Sequence, residues 1–197
     1  MQMLRPLLAG LAALSLLPGL SPASNQIPAP PQDHPIALVG GTIHTVSGEI
    51  IPNGTILFEN GRITGLGASV ALPSGAEQID ITGKRVYPGM IAAHTNLGLI
   101  EVGSVRATLD MNEIGDITPS VRTPPAVNPD SELLPVTRAN GVLLALVVPT
   151  GGLIAGTSGL MMLDGWTWED MTLKAPVGLH VWWPSMSINR APTAPAV

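Results

Sequence analysis

His94 and Asn96 are the residues of this chain whose types and spacing most directly suggest chemistry. They follow the apolar run Met90 to Ala93 in the segment VYPGMIAAHTNLG. Side chains two apart on a strand share a face, so an imidazole and a carboxamide would project together beyond the strand's end. In a barrel of parallel strands that space is the mouth of an active site. On their own the two groups suit hydrogen bonding at that mouth. The chain has no Cys, so any metal must use His, carboxylate or amide groups.

The other chemistry-bearing residues have simpler readings. His34 lies in a proline-rich stretch and is expected to be solvated, and His44, in a Thr-rich strand, reads as structural. His180 has two readings, a ligand and a strand-end hydrogen-bonding residue, the second the commoner; beside it, Trp182 and Trp183 precede a proline and suit core or partner packing as well as a stacking platform. Gly151-Gly152 and Gly156 to Gly159 cluster backbone amides, yet they lack the GK[ST] ending of a phosphate cradle and suit a tight loop beside the mouth. Ser158 has no G-x-S-x-G elbow and stays a loop residue. Glu101, Arg106, Asp110, Glu113, Asp116 and Arg122 fit a solvated loop as well as they fit substrate binding.

Composition narrows the classes. A net charge of -5, with only 9 Lys and Arg spread along 197 residues, argues against a nucleic-acid partner, which needs clustered cations. The lack of Cys excludes a disulfide scaffold, a thiolate zinc site and a cysteine nucleophile. With 22 Gly and 20 Pro, many turns between short apolar elements are expected.

Residues 1–23 read as an export signal, with Arg5 ahead of an apolar run from Leu7 to Leu17 and small residues Ser21 and Ala23 before a cut. The mature protein is expected to be soluble and either periplasmic or extracellular. Residues 24–35 form a Pro-rich linker. Residues 36–87 alternate short β-branched runs with turns at Asn53-Gly54, Asn60-Gly61 and Thr82-Gly83, which predicts a small β-sandwich whose strands each bury one face. Residues 88–190 open with the strand that ends in His94, followed by a long irregular loop over 102–130. A helix then starts near Leu133, capped by Asp130 or Ser131, and ends at Asn140-Gly141. The apolar run Val142 to Val148 predicts a parallel strand buried on both faces, Leu160 to Leu163 a third strand, and Trp166 to Asp170 a further helix. Residues 191–197 are a Pro/Ala tail.

This order of parts resembles the amidohydrolase superfamily, in particular its exported, imidazolonepropionase-like members. The resemblance rests on GGTIHTVSGEIIPNGTILFENGRITGLG, on GKRVYPGMIAAHTNLGL, and on RANG, VVPTGG and GTSGL in sequence order. It implies an α/β fold in which a small β-sandwich precedes the N-terminal part of an incomplete amidohydrolase-type (β/α)8 barrel. It also implies a divalent metal, zinc in many members, bound by a His-x-His pair at the end of the first barrel strand. His94 matches the first position, and Asn96 occupies the second, a departure from the pattern. The family chemistry is metal-dependent hydrolysis of a non-peptide C–N bond in a small amide or cyclic amide.

The family draws its remaining ligands from later barrel strands. Beyond residue 35 roughly 160 residues remain, whereas a complete barrel alone takes about 250. The chain is therefore expected to be truncated and weakly active or inactive. The alternatives are a degenerate family member and a non-catalytic binding or assembly module, with a homo-oligomer as the assembled form.

Overall fold

Asn60 and Gly61 both take positive φ, 52° and 69°, as a two-residue hairpin turn requires. The hairpin joins β2 (Ile50–Glu59) to β3 (Arg62–Gly67), and β2 pairs antiparallel with β1 (Ile36–His44). On its other edge β1 takes β4 (Glu77–Asp80) and β5 (Arg85–Val86), both parallel to it. Gly83, at φ 77°, turns the chain between those two strands. The computed structural model describes residues 27–184, so the expected export signal and the Pro/Ala tail lie outside the described residues.

Three expectations for this region are corrected. Hydrogen bonds join β1 to β5 into one five-stranded sheet, where the sequence suggested a two-layered sandwich. Asn53-Gly54 is no turn between strands. It lies inside β2, where the four residues from Ile51 to Gly54 oppose three of β1 (Gly41 to Ile43), and the extra residue is absorbed as a bulge with Asn53 at φ 49°. Finally, Thr55, Ile56 and Leu57 are buried in succession, so β2 is covered on both faces there, while Ile63 and Leu66 of β3 stay exposed.

Residues 27–35 form no helix or strand and are tied to the sheet. Gln32 donates from Nε2 to the Phe58 carbonyl at 2.8 Å and accepts the Gly61 N–H at 2.8 Å. His34 does more than face solvent: its ring nitrogens lie 2.5 Å from an Asp33 oxygen and 2.9 Å from Glu77 Oε2 on β4. Glu77 and then Asp33 hold the His34 pKa above its ordinary value, and the bond from His34 holds Asp33 below its own.

The second sheet runs β10 (Thr172–Lys174), β9 (Gly159–Met162), β7 (Val142–Val147), β6 (Met90–Thr95). β6 and β7 are parallel and are connected through α1 (Leu133–Ala139), the expected strand–helix–strand unit. Ser131 accepts the Leu133 N–H on its hydroxyl at 3.3 Å, Pro135 falls in the first turn, and Gly141 at φ 88° follows the helix end. The third strand exists but runs antiparallel to β7, so it does not continue the parallel order expected of a barrel. β8 (Ile154–Thr157) leaves this sheet and pairs with β11 (Leu179–Val181). The helix expected from Trp166 begins at Trp168, as α2 (Trp168–Met171), with Thr167 Oγ1 accepting the Asp170 N–H. The described fold is thus mostly β, with only these two short α-helices.

The core lies on one side of this second sheet. Ala145 and Val147 of β7 and Met161 of β9 pack with Leu99, Val127, Leu134, Leu163 and Met171. β7 alternates between these buried residues and half-buried or exposed ones at Val142 to Leu144 and Leu146, so it buries one face rather than both. Thr123, 2% exposed, ties the long loop to two strands: its hydroxyl donates to the Val147 carbonyl at 3.0 Å and accepts the Gly159 N–H at 3.1 Å. Two glycines show how closely that loop lies. A Cβ at Gly152 would come within 2.7 Å of the Asp116 carbonyl oxygen, and one at Gly156 within 2.6 Å of that of Val121.

Replacing Thr123 with Ala leaves a buried carbonyl and a buried N–H without this partner and is expected to destabilise the fold by about 3 kcal/mol, while Ser stays within about 1 kcal/mol of the parent. Urea unfolding of both variants checks this, and equal losses would refute the bridging role. Because the folded pKa of His34 is raised, its contribution is complete below the unfolded value of about 6.5 and is lost as pH rises through the folded value. An NMR titration should place His34 above 6.5, and a midpoint at or below that value would sink the tether.

Candidate functional site

Each parallel strand of the β6–α1–β7 unit ends in a turn on the same side of the sheet, and it is here that His94 emerges. One residue too many is packed into β6 against β7: Ala92 pairs with Ala145 and Thr95 with Val147, so Ala93 and His94 occupy a bulge. Bulges re-aim side chains at sheet ends. The Val148 N–H donates to the Thr95 carbonyl at 2.8 Å, and the Thr95 hydroxyl accepts the Leu97 N–H at 3.1 Å, which fixes both strand ends beside the bulge. His94 and Asn96 are both exposed, with Asn96 just past the end of β6 in a turn closed by the Leu99 N–H on its carbonyl at 2.9 Å.

The neighbour of His94 comes from the far end of the chain. The indole of Trp182 meets the His94 ring edge to face, with centroids 5.8 Å apart and planes at 82°. Trp182 is held there by two bonds, from its backbone N–H to the Leu153 carbonyl at 2.9 Å and from its indole N–H to the Pro149 carbonyl at 3.3 Å. Trp183 is exposed. Neither tryptophan joins the buried core: Trp182 packs its ring against His94 and stays partly exposed.

His180 stands two residues before Trp182, on β11. Its Nε2 is buried and has no hydrogen-bond partner, so the expected strand-end hydrogen bond from that atom is not made. Desolvation, and then the charge of His94, push its pKa below the ordinary histidine value, so the ring is held neutral. The structure thus sets Trp182 against His94, with His180 two residues earlier in the chain, on a strand whose pairing with β8 has no local sequence signal.

Glu101 accepts from Asn128 Nδ2 at 3.1 Å and from the Ser131 hydroxyl at 2.9 Å, anchoring the start of α1. Arg106, Asp110, Glu113, Asp116 and Arg122 are exposed. Ser158 is buried, with its hydroxyl 3.4 Å from the Gly178 carbonyl. His44 stacks on Tyr87 at 4.4 Å, beside an apolar depression lined by Val46, Tyr87, Pro88, Met90 and Leu143 at the opposite ends of β6 and β7. Among the described residues no three His, Asp or Glu side chains come together to hold a metal ion.

No protein-family model matches the chain, and no curated protein matches it. Solved structures do. An amidohydrolase from Thermotoga maritima MSB8 superposes with a TM-score of 0.69 at 27% identity, covering 74% of this chain and 38% of that protein. A putative prolidase from Bifidobacterium longum, 31% identical, overlaps 45% of this chain and 23% of its own with a TM-score of 0.31, and a D-hydantoinase, 32% identical, overlaps 36% and 15% with a TM-score of 0.30. These last two overlaps are too partial to bear weight. The chain spans well under half the length of the Thermotoga protein, and within that span both fold and sequence agree. Over this part of its length, the chain is similar to the amidohydrolase superfamily.

Proposed function

We propose that the chain is an amidohydrolase-related protein whose family chemistry is metal-dependent hydrolysis of a non-peptide C–N bond in a small amide or cyclic amide. The observation that carries this reading is the superposition on the Thermotoga amidohydrolase, in a chain that presents His94 at the end of a parallel strand. A divalent metal in such a site lowers the pKa of a bound water and polarises the substrate carbonyl. On this side of the mouth the chain supplies His94 as a nitrogen donor and Trp182 as an apolar wall that excludes water from a bound amide.

The 197-residue chain by itself is proposed to be weakly active or inactive, because the described donors fall short of the ligand number a hydrolytic metal centre uses. Export to the periplasm or the outside of the cell is part of the same proposal and rests on residues 1–23. A hydrolysis panel of amides, cyclic amides and dipeptides, run with and without added zinc, is expected to show no more than trace turnover. Stoichiometric zinc together with robust metal-dependent turnover would overturn the inactive reading.

An assembly role is favoured by a separate observation. Met90 and Leu143, 55% and 48% exposed, line one apolar depression at the start of β6 and β7, and the neighbouring Ile91 is 56% exposed. In the described sheet β6 is an edge strand with one side unpaired. A second copy of the chain would cover apolar surface of this kind. Light scattering of the purified protein should then give one defined oligomer, and a clean monomer at micromolar concentration would count decisively against assembly.

A further inference from the structure

Residues 27–35 touch both sheets before the chain enters β1. Their first anchor belongs to the second sheet. Pro28 sits in a small depression with Pro129, Leu134, Leu163 and Met171, and the Ala29 N–H donates to Asp164 Oδ2 at 3.3 Å. Asp164 is itself fixed, because its other oxygen accepts from Arg138 of α1, which also donates to the Leu163 carbonyl at 2.8 Å. The second anchor belongs to the five-stranded sheet. Gln32 bonds to Phe58 and Gly61 at the β2–β3 hairpin, His34 reaches Glu77 of β4, and the Glu77 N–H donates to the Pro35 carbonyl at 2.9 Å. The segment is therefore a strap with one end on each sheet.

One proton sets how firmly it is fastened. Both ring nitrogens of His34 face carboxylates, Nδ1 that of Asp33 at 2.5 Å and Nε2 that of Glu77 at 2.9 Å. An ionised carboxylate only accepts, so both nitrogens must donate, and only the imidazolium can do so. A neutral ring would turn a lone pair toward one of the two carboxylates. Glu59 of β2 lines the same hollow beside His34, with Gln32 and Asn60, and no Lys or Arg lines it. The charged groups set around His34 are thus Asp33 on the strap, Glu77 on β4 and Glu59 on β2. Loss of the proton leaves these three negative groups without the cation between them. Of the side chains that anchor the strap, only a histidine changes charge near neutrality. The first anchor is one long bond at an exposed site, so it holds only while the rest of the strap is pinned.

We propose that residues 27–35 form a pH-sensitive strap between the two sheets, fastened while the imidazolium of His34 is held between Asp33 and Glu77 and released at both anchors when that proton is lost. The direction is closed toward acid and open toward alkali. It agrees with the raised pKa of His34, whose contribution is complete below the unfolded value of about 6.5 and is lost as pH rises through the folded value. Below about pH 4 the carboxylates protonate in turn and end the window on the acid side. The strap is independent of the amidohydrolase reading.

The test is NMR-detected hydrogen exchange of the full chain across this pH range, corrected for the intrinsic pH dependence of exchange. The amides of Ala29 and Gly61 report the two anchors, and the His34 ring is titrated in parallel. Protection of both amides is expected to fall about threefold to fivefold as pH rises through the His34 midpoint, the scale of exposed ion pairs. Glu77→Gln should move the midpoint and the loss of protection together to lower pH. His34→Gln should hold both amides at the low level throughout, with circular dichroism confirming the fold of each variant. Protection that stays constant through the His34 midpoint would overturn the switch. Loss at Gly61 without loss at Ala29 would overturn the strap, and so would a pH-dependent loss that persists unchanged in His34→Gln.

Discussion

The parallel pairing of β6 with β7 is the constraint on which the rest of this structure depends. Parallel neighbours cannot be joined by a tight turn; they need a crossover, and here the crossover includes the long loop and α1. The helix brings Leu134 into the core, where it meets Ala145 and Val147 of β7 and Met161 of β9. Because the strands are parallel, both release their chains at the same end, and the bond from Val148 to Thr95 closes that end. His94 is presented there because it lies in the bulge of β6, next to the strand end. Had the strands been antiparallel, the segment after β6 and the segment after β7 would emerge on opposite sides, and Pro149 could not anchor the tryptophan that faces His94.

The glycines and threonines of the connecting loops serve this constraint. The loop over 102–130 must return to the sheet end without burying unpaired backbone groups. It does so by lying directly on Gly152 and Gly156, where no side chain fits, and by inserting the Thr123 hydroxyl between β7 and the start of β9. The same closeness explains why a glycine-rich run at a strand end is a poor indicator of phosphate binding here: its open space is already filled by the chain's own carbonyls.

What could be read from the sequence was local. The Asn60-Gly61 hairpin, the helix ending at Gly141 and the strand before His94 follow from turn chemistry and apolar runs, and each is present in the fold. What could not be read was pairing. The apolar run of β7 looks alike whether one face or both are covered, so the antiparallel approach of β9 had no signature in Leu160 to Leu163. The sandwich expected for residues 36–87 fails for the same reason: strand number is legible from turn spacing, but strand order is not, and β4 and β5 return to the same edge of β1. His34 belongs here too. Its proline-rich surroundings suggested solvent, yet a carboxylate 43 residues further along the chain reaches its ring.

The mouth shows why an orphaned imidazole must be weighed by its surroundings. Both His44 and His180 have a buried Nε2 without a partner among the described residues. His44 stacks its ring on Tyr87, at the opposite end of the second sheet from His94, so its burial is accounted for by ring contact in an apolar setting. His180 has the same deficit in a different setting. It lies on β11 two residues before Trp182, whose indole is fixed by two hydrogen bonds and meets the exposed ring of His94, and desolvation is the first cause of its lowered pKa. Burial makes each nitrogen costly, but the cost alone marks no site: a binding site also requires donors that converge from separate strands.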